Sequence, residues 1–166
     1  MTINRGTTGT LTLAPASTTG GIYVGPNAGT ATINAPLVAS TAQTWNVDGT
    51  GTSALVISGA TTFTAAVNKA GNGALSLTAA NSGSGIITLS GGTLNINNAA
   101  ALGTGRLIVG VGTTINNSTA AGITLSTNNP QTWNGNFTFT GTQSLNMGTG
   151  AVTLGNNILI TASCKR

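Results

Sequence analysis

Apolar residues in this chain come in short runs of period two, and nearly every run is bounded by glycine, asparagine, serine or proline. Thr10-Leu11-Thr12-Leu13, Ile22-Tyr23-Val24, Thr44-Trp45-Asn46-Val47 and Ala54-Leu55-Val56-Ile57 open the series. Thr93-Leu94-Asn95-Ile96, Leu107-Ile108-Val109, Phe137-Thr138-Phe139 and Ile158-Leu159-Ile160 continue it towards the end. Period two places alternate side chains on one face of a strand, and the flanking residues supply turns and positive φ. No window carries a sustained helical repeat with charged helix-forming partners, so almost no helix is expected.

Short strands at such spacing can build a sandwich, a barrel or a stacked array. Self-similarity separates them. Ala42-Gln43-Thr44-Trp45-Asn46 returns as Pro130-Gln131-Thr132-Trp133-Asn134, an offset of 88 residues (133 − 45), and each copy is followed by a Thr-Phe-Thr strand, Thr62-Phe63-Thr64 and Thr138-Phe139-Thr140. Irregular repetition of one small unit marks a solenoid. Each coil then holds about three short strands whose backbone groups pair with the coils above and below. Coils of roughly 20 to 25 residues predict about seven of them, in a rod of about 30 to 35 Å.

Composition explains why such stacking is tolerable. Charged residues make up 4% of the chain, where about a quarter is usual. Like charges stacked on neighbouring strands repel, whereas Thr, Asn and Ser can bond to one another along the axis. The regular Leu, Ile, Val and Phe argue against disorder.

The same composition excludes function classes. Asp48 is the one acidic residue and there is no histidine. Acid–base, metal and nucleophilic chemistry draw on clusters of side chains that cannot be assembled here, so no enzyme, catalytic residue, metal or cofactor is expected. Asp48, before Gly49, is read as a turn residue. The bases Arg5, Lys69, Arg106, Lys165 and Arg166 are scattered, and no nucleic-acid stripe is read from them. No apolar stretch reaches membrane-spanning length, the aromatics are too few for the girdles of a transmembrane barrel, and no apolar core follows Met1-Thr2-Ile3-Asn4-Arg5 as in a signal peptide.

Gly91-Gly92-Thr93-Leu94-Asn95-Ile96, followed by Ala101-Leu102-Gly103-Thr104-Gly105-Arg106-Leu107-Ile108-Val109, resembles the passenger-associated strand repeat of bacterial autotransporters. The match is good over residues 86 to 115, and looser similarity to repetitive bacterial surface proteins covers most of the rest. The resemblance implies a right-handed parallel β-helix and an extracellular or cell-surface location.

The expectation is one all-β domain over 1–166, a right-handed parallel β-helix uncapped at both ends. An open solenoid edge invites pairing, and head-to-tail pairing generates a fibre. The expected partner is therefore a further copy of the chain, giving a homopolymer or a passenger stalk, with Leu11, Leu13, Ile158, Ile160 and Cys164 as candidates for the joint. Cys164, the lone cysteine, is read as a partly buried small residue, a free thiol or an intermolecular crosslink. The alternative is an adhesin or glycan-binding module. Trp45 and Trp133 are its possible ligand-facing aromatics, although their matching places point first to corner or core packing. Thr-x-Thr pairs raise ice binding, against which the uneven coil lengths speak. Asn117-Ser118-Thr119 and Asn136-Phe137-Thr138 fit the glycosylation sequon.

Overall fold

In the computed structural model the chain is wound into a parallel β-solenoid of about six turns. The structure describes residues 1–6, 8–49, 54–141 and 143–163, and these form twenty short strands and no helix. Numbered along the chain, eight strands stack into sheet I: β1 (Thr2–Ile3), β4 (Thr30–Ile33), β7 (Ala54–Ile57), β10 (Ala74–Leu77), β12 (Thr93–Ile96), β14 (Thr113–Asn116), β17 (Phe137–Phe139) and β20 (Ile160–Ala162). Seven stack into sheet II: β3 (Gly21–Val24), β6 (Gln43–Val47), β9 (Val67–Ala70), β11 (Ile87–Leu89), β13 (Leu107–Val109), β16 (Gln131–Trp133) and β19 (Val152–Leu154). The third face is broken. It holds β2 (Leu11–Leu13), β5 (Leu37–Ala39) and β8 (Thr61–Phe63) towards one end, and β15 (Ile123–Thr124) and β18 (Leu145–Asn146) towards the other.

The six pairings within sheet II count the turns, and the pairing of β17 with β20 opens one more. That is slightly fewer turns than a uniform coil predicts, because the coils are uneven. Ile3 pairs with Ile33, a step of 30 residues (33 − 3), whereas Leu77 pairs with Ile96, a step of 19 (96 − 77). Extra length is taken up on the third face and at the corners, and sheets I and II stay in register throughout.

Period two does the folding work. Interior strands alternate buried and half-buried positions, as in β6 and β9. Across sheet I the register stacks Ala31, Leu55, Leu75, Leu94, Ile115 and Phe139 in one inward column. Leu55, Leu75 and Leu94 are sealed from solvent, and each such burial is worth about 1.5 to 3 kcal/mol. On the outer surface the expected ladders form. Asn116 donates to Asn95 Oδ1 at 2.7 Å and Asn95 to Ser76 Oγ at 2.8 Å; at one end Asn34 bonds Asn4, and Ser58 bonds Asn34.

The Leu-Gly-x-Gly corner has a steric cause. Gly103 takes φ +60, and a Cβ on Gly105 would lie 2.0 Å from the carbonyl oxygen of Gly85. Two glycine corners thus lie directly on one another, Gly103 over Gly83 and Gly105 over Gly85. Asn129, buried, clamps this corner by donating to the carbonyls of both Gly103 and Gly105.

One sequence echo does not survive. Thr62-Phe63-Thr64 and Thr138-Phe139-Thr140 look equivalent, but Phe63 ends β8 on the third face while Phe139 ends β17 in sheet I. The coils between them differ in length, so the same tripeptide arrives on different faces.

Candidate assembly interface

The Gln-Thr-Trp repeat builds the same device twice. Spacing of two puts glutamine and tryptophan on one strand face, pointing inward. Trp45 Nε1–H donates to Gln43 Oε1 at 3.0 Å, and Trp133 Nε1–H to Gln131 Oε1 at 3.1 Å. Both glutamines are buried, so their amides must also be satisfied. Gln43 Nε2 donates to the carbonyls of Thr41 and Leu13, and Gln131 Nε2 to that of Met147. The offset of 88 residues is four coil steps, since the register runs Trp45, Lys69, Leu89, Val109, Trp133.

Trp45 is 0% exposed and packs against Phe63, with ring centroids 6.0 Å apart. It cannot be a ligand-facing platform, which corrects that part of the glycan expectation. Trp133 is half-buried, meets Phe137 edge to face at 5.2 Å, and lines an apolar cavity.

That cavity, of about 160 Å³, opens at the C-terminal end of the solenoid between Trp133, Phe137, Phe139, Leu145, Met147 and Ile160. Beyond it β19 and β20 are exposed at every residue, with Leu154 57% and Ile160 43% exposed. At the opposite end a concavity of about 320 Å³ lies among Ile3, Leu11, Leu13, Ile22, Ala31 and Ile33. Of the joint candidates, Leu11 and Leu13 therefore line the N-terminal concavity, Ile160 lines the C-terminal one, and Ile158 packs half-buried against the core. Cys164 lies outside the described residues. Among the described residues, both ends of the solenoid present core columns without a covering coil, beside strands that have only one neighbour.

Lys69, one of the scattered bases, is completely buried by the fold, in register between Trp45 and Leu89. Its ammonium donates to the carbonyls of Ala70, Gly71 and Gly91 at 2.8, 2.9 and 3.0 Å, which uses all three N–H bonds. Burial pushes its pKa down to about 8, against the opposing pull of the Asp48 carboxylate. The alternation Val67-Asn68-Lys69, with Val67 inward, was the available signal that Lys69 points in.

Other polar residues also sit inside. Asn117 donates to the carbonyls of Ala121 and Ser144 and is buried, so its sequon is not presented by the fold; Asn136 is exposed. Asp48 is exposed just after β6, and residues 50–53 lie outside the described part. Among the described residues no group of three His, Cys, Asp or Glu is placed to hold a metal, and no helix is long and apolar enough to cross a membrane.

No family model, no curated protein and no solved structure matches the chain.

Proposed function

We propose that this chain is a structural, non-enzymatic β-solenoid subunit that stacks head to tail into a fibre or forms part of a longer stalk at the bacterial cell surface. The observation that carries the reading is the pair of open apolar ends, where inward columns stop at exposed Leu154 and Ile160 on one side and at half-buried Ile3 and Ile22 on the other. Covering such residues with another coil returns about 1.5 to 3 kcal/mol for each side chain fully buried, and the free strand edges supply the backbone pairing. The cell-surface location rests on the resemblance around Gly91–Ile96 and Ala101–Val109. The near absence of acids and the lack of histidine support a structural role over a catalytic one.

Negative-stain microscopy of the purified chain over a range of concentrations tests this. Unbranched fibres that lengthen with concentration are expected, and Leu154→Asp should abolish them while leaving the subunit folded, because the carboxylate would be buried unpaired at the joint. Short rods that stay monomeric at every concentration would remove the fibre.

A second reading, glycan binding, draws on a shallow groove of about 290 Å³ beside sheet II, lined by Thr18, Thr44, Asn68 and Thr88 together with Ala66 and Val67. Binding on a glycan array that is lost in Asn68→Leu would favour it.

A further inference from the structure

Two asparagines in this chain are followed directly by glycine, Asn72 before Gly73 and Asn134 before Gly135. Glycine carries no side chain to hinder its own backbone nitrogen, so that nitrogen can approach the preceding carboxamide most freely. Both pairs lie in corners where a sheet II strand hands the chain to a sheet I strand, Asn72 between β9 and β10 and Asn134 between β16 and β17. Both asparagines are exposed, both glycines are buried, and neither carboxamide makes a hydrogen bond among the described residues.

The two corners differ at the glycine nitrogen. Gly73 N–H donates to the Val47 carbonyl at 2.8 Å, a bond of the coil-to-coil ladder. Gly135 N–H has no acceptor among the described residues. The residues on either side of it are held, since Asn134 N–H donates to the Val109 carbonyl at 2.9 Å and the Asn136 carbonyl accepts from Gly112 N–H at 2.8 Å. Packing keeps a glycine at this place, because a Cβ there would lie 2.6 Å from that of Val111.

We propose that Asn134 is a self-modification site, at which the side chain closes on the Gly135 nitrogen to a succinimide that water opens to aspartate or isoaspartate. The Gly135 nitrogen gives its proton to hydroxide and bonds to Asn134 Cγ. The bond from Cγ to Nδ2 breaks, and Nδ2 takes a proton from water and leaves as ammonia. Water adding at Cγ then breaks the new C–N bond and yields aspartate. Water adding at the Asn134 backbone carbonyl carbon yields isoaspartate, whose main chain is one carbon longer. At Gly73 the same closure must first break the bond to Val47, which takes a local opening of the ladder.

Each product alters the rod at a defined place. Thr132 and Asn134 sit at alternate, outward positions about 7 Å apart along the chain. Arg106 Nη1 donates to Thr132 Oγ1 at 2.9 Å, so aspartate sets a carboxylate beside a guanidinium in a chain whose one acid is Asp48. Isoaspartate instead lengthens the corner that leads into β17.

Incubation of the folded chain in mildly alkaline buffer, followed by peptide mapping with mass spectrometry, tests the assignment. Asn134 should deamidate about tenfold or more faster than Asn72 in the folded chain, and the two should react at similar rates in urea, where the Gly73 bond is gone. Equal rates in the folded chain, or faster loss at Asn72, overturn the proposal. A preference that persists unchanged in urea also overturns it, because flanking sequence would then be the cause. Enzymatic methylation of isoaspartate should label the Asn134 peptide in aged protein and leave it unlabelled in Asn134→Gln. Deamidation at Asn134 without any isoaspartate overturns the succinimide route.

Discussion

Trp45 and Trp133 share their flanking sequence, their bond to a glutamine two residues back and even their rank, since β6 and β16 are each one strand in from an edge of sheet II. Yet one indole is sealed and the other stands beside an open cavity. The difference lies in direction. Both rings are covered from the C-terminal side, Trp45 by Phe63 and the Lys69 level, Trp133 by Phe137 and the Leu154 level. For Trp45 that side is the interior of the rod, and for Trp133 it is the end. Local sequence sets which way a side chain points, and the next coil decides whether it is buried.

The largest test of this contrast is truncation of each ring. Trp45→Ala should cost about 3 to 5 kcal/mol in chemical denaturation, the range for a large buried aromatic. Trp133→Ala should cost roughly half as much, because part of its surface is already wet. Equal losses would mean that the open cavity does not matter to stability. The gap should also narrow under any condition that covers the C-terminal cavity, because Trp133 then becomes interior.

Lys69 sharpens the contrast from the other side, since the residue stacked over Trp45 is a cation and the one over Trp133 is Leu154. The folded pKa, about 8, lies below the ordinary 10.5. Between these two values the unfolded chain holds the extra proton, so stability should rise as pH climbs from about 8 towards 10.5. Denaturant midpoints across that window should increase in the native sequence and stay level in Lys69→Met. A falling midpoint would mean that the three carbonyls hold the charged form more strongly than burial opposes it.

The smallest expected effect concerns the glutamines. Gln43→Leu leaves the sealed indole N–H of Trp45 without an acceptor and should cost about 1 to 3 kcal/mol. Gln131→Leu should cost less than 1 kcal/mol, because water reaching the cavity can replace the lost acceptor. A matched pair of losses would show that both indoles are equally dry.

Much of this architecture could be read from the residues alone. Alternation located most of the strands, and the Gln-Thr-Trp repeat at an offset of 88 residues (133 − 45) marked the chain as a stacked array. The ladders of Asn and Ser also follow from the composition. What stayed hidden was polar burial. Asn81, Asn117 and Asn129 have the look of turn residues, yet all three are buried. Asn81, for instance, accepts from Thr61 N and donates to the Ala101 carbonyl. Nothing local separates an asparagine that makes a turn from one that clamps the turn below it, because the partner lies a whole coil away. The apolar residues at the two ends, Leu11, Leu13, Ile158 and Ile160, were legible for the same reason that the strands were, as apolar alternation in the first and last runs. That Leu11 and Leu13 line a concavity at one end and Ile160 a cavity at the other needed the three-dimensional fold.

Uneven coils carry a practical meaning. Steps of 19 and 30 residues coexist in one rod with both long sheets unbroken, so chain length is a free variable at the corners and on the third face. Foreign peptides inserted after β3 or between β14 and β15 would be carried outward at a fixed height along the axis, and the rod would serve as a ruler that spaces them by whole coils.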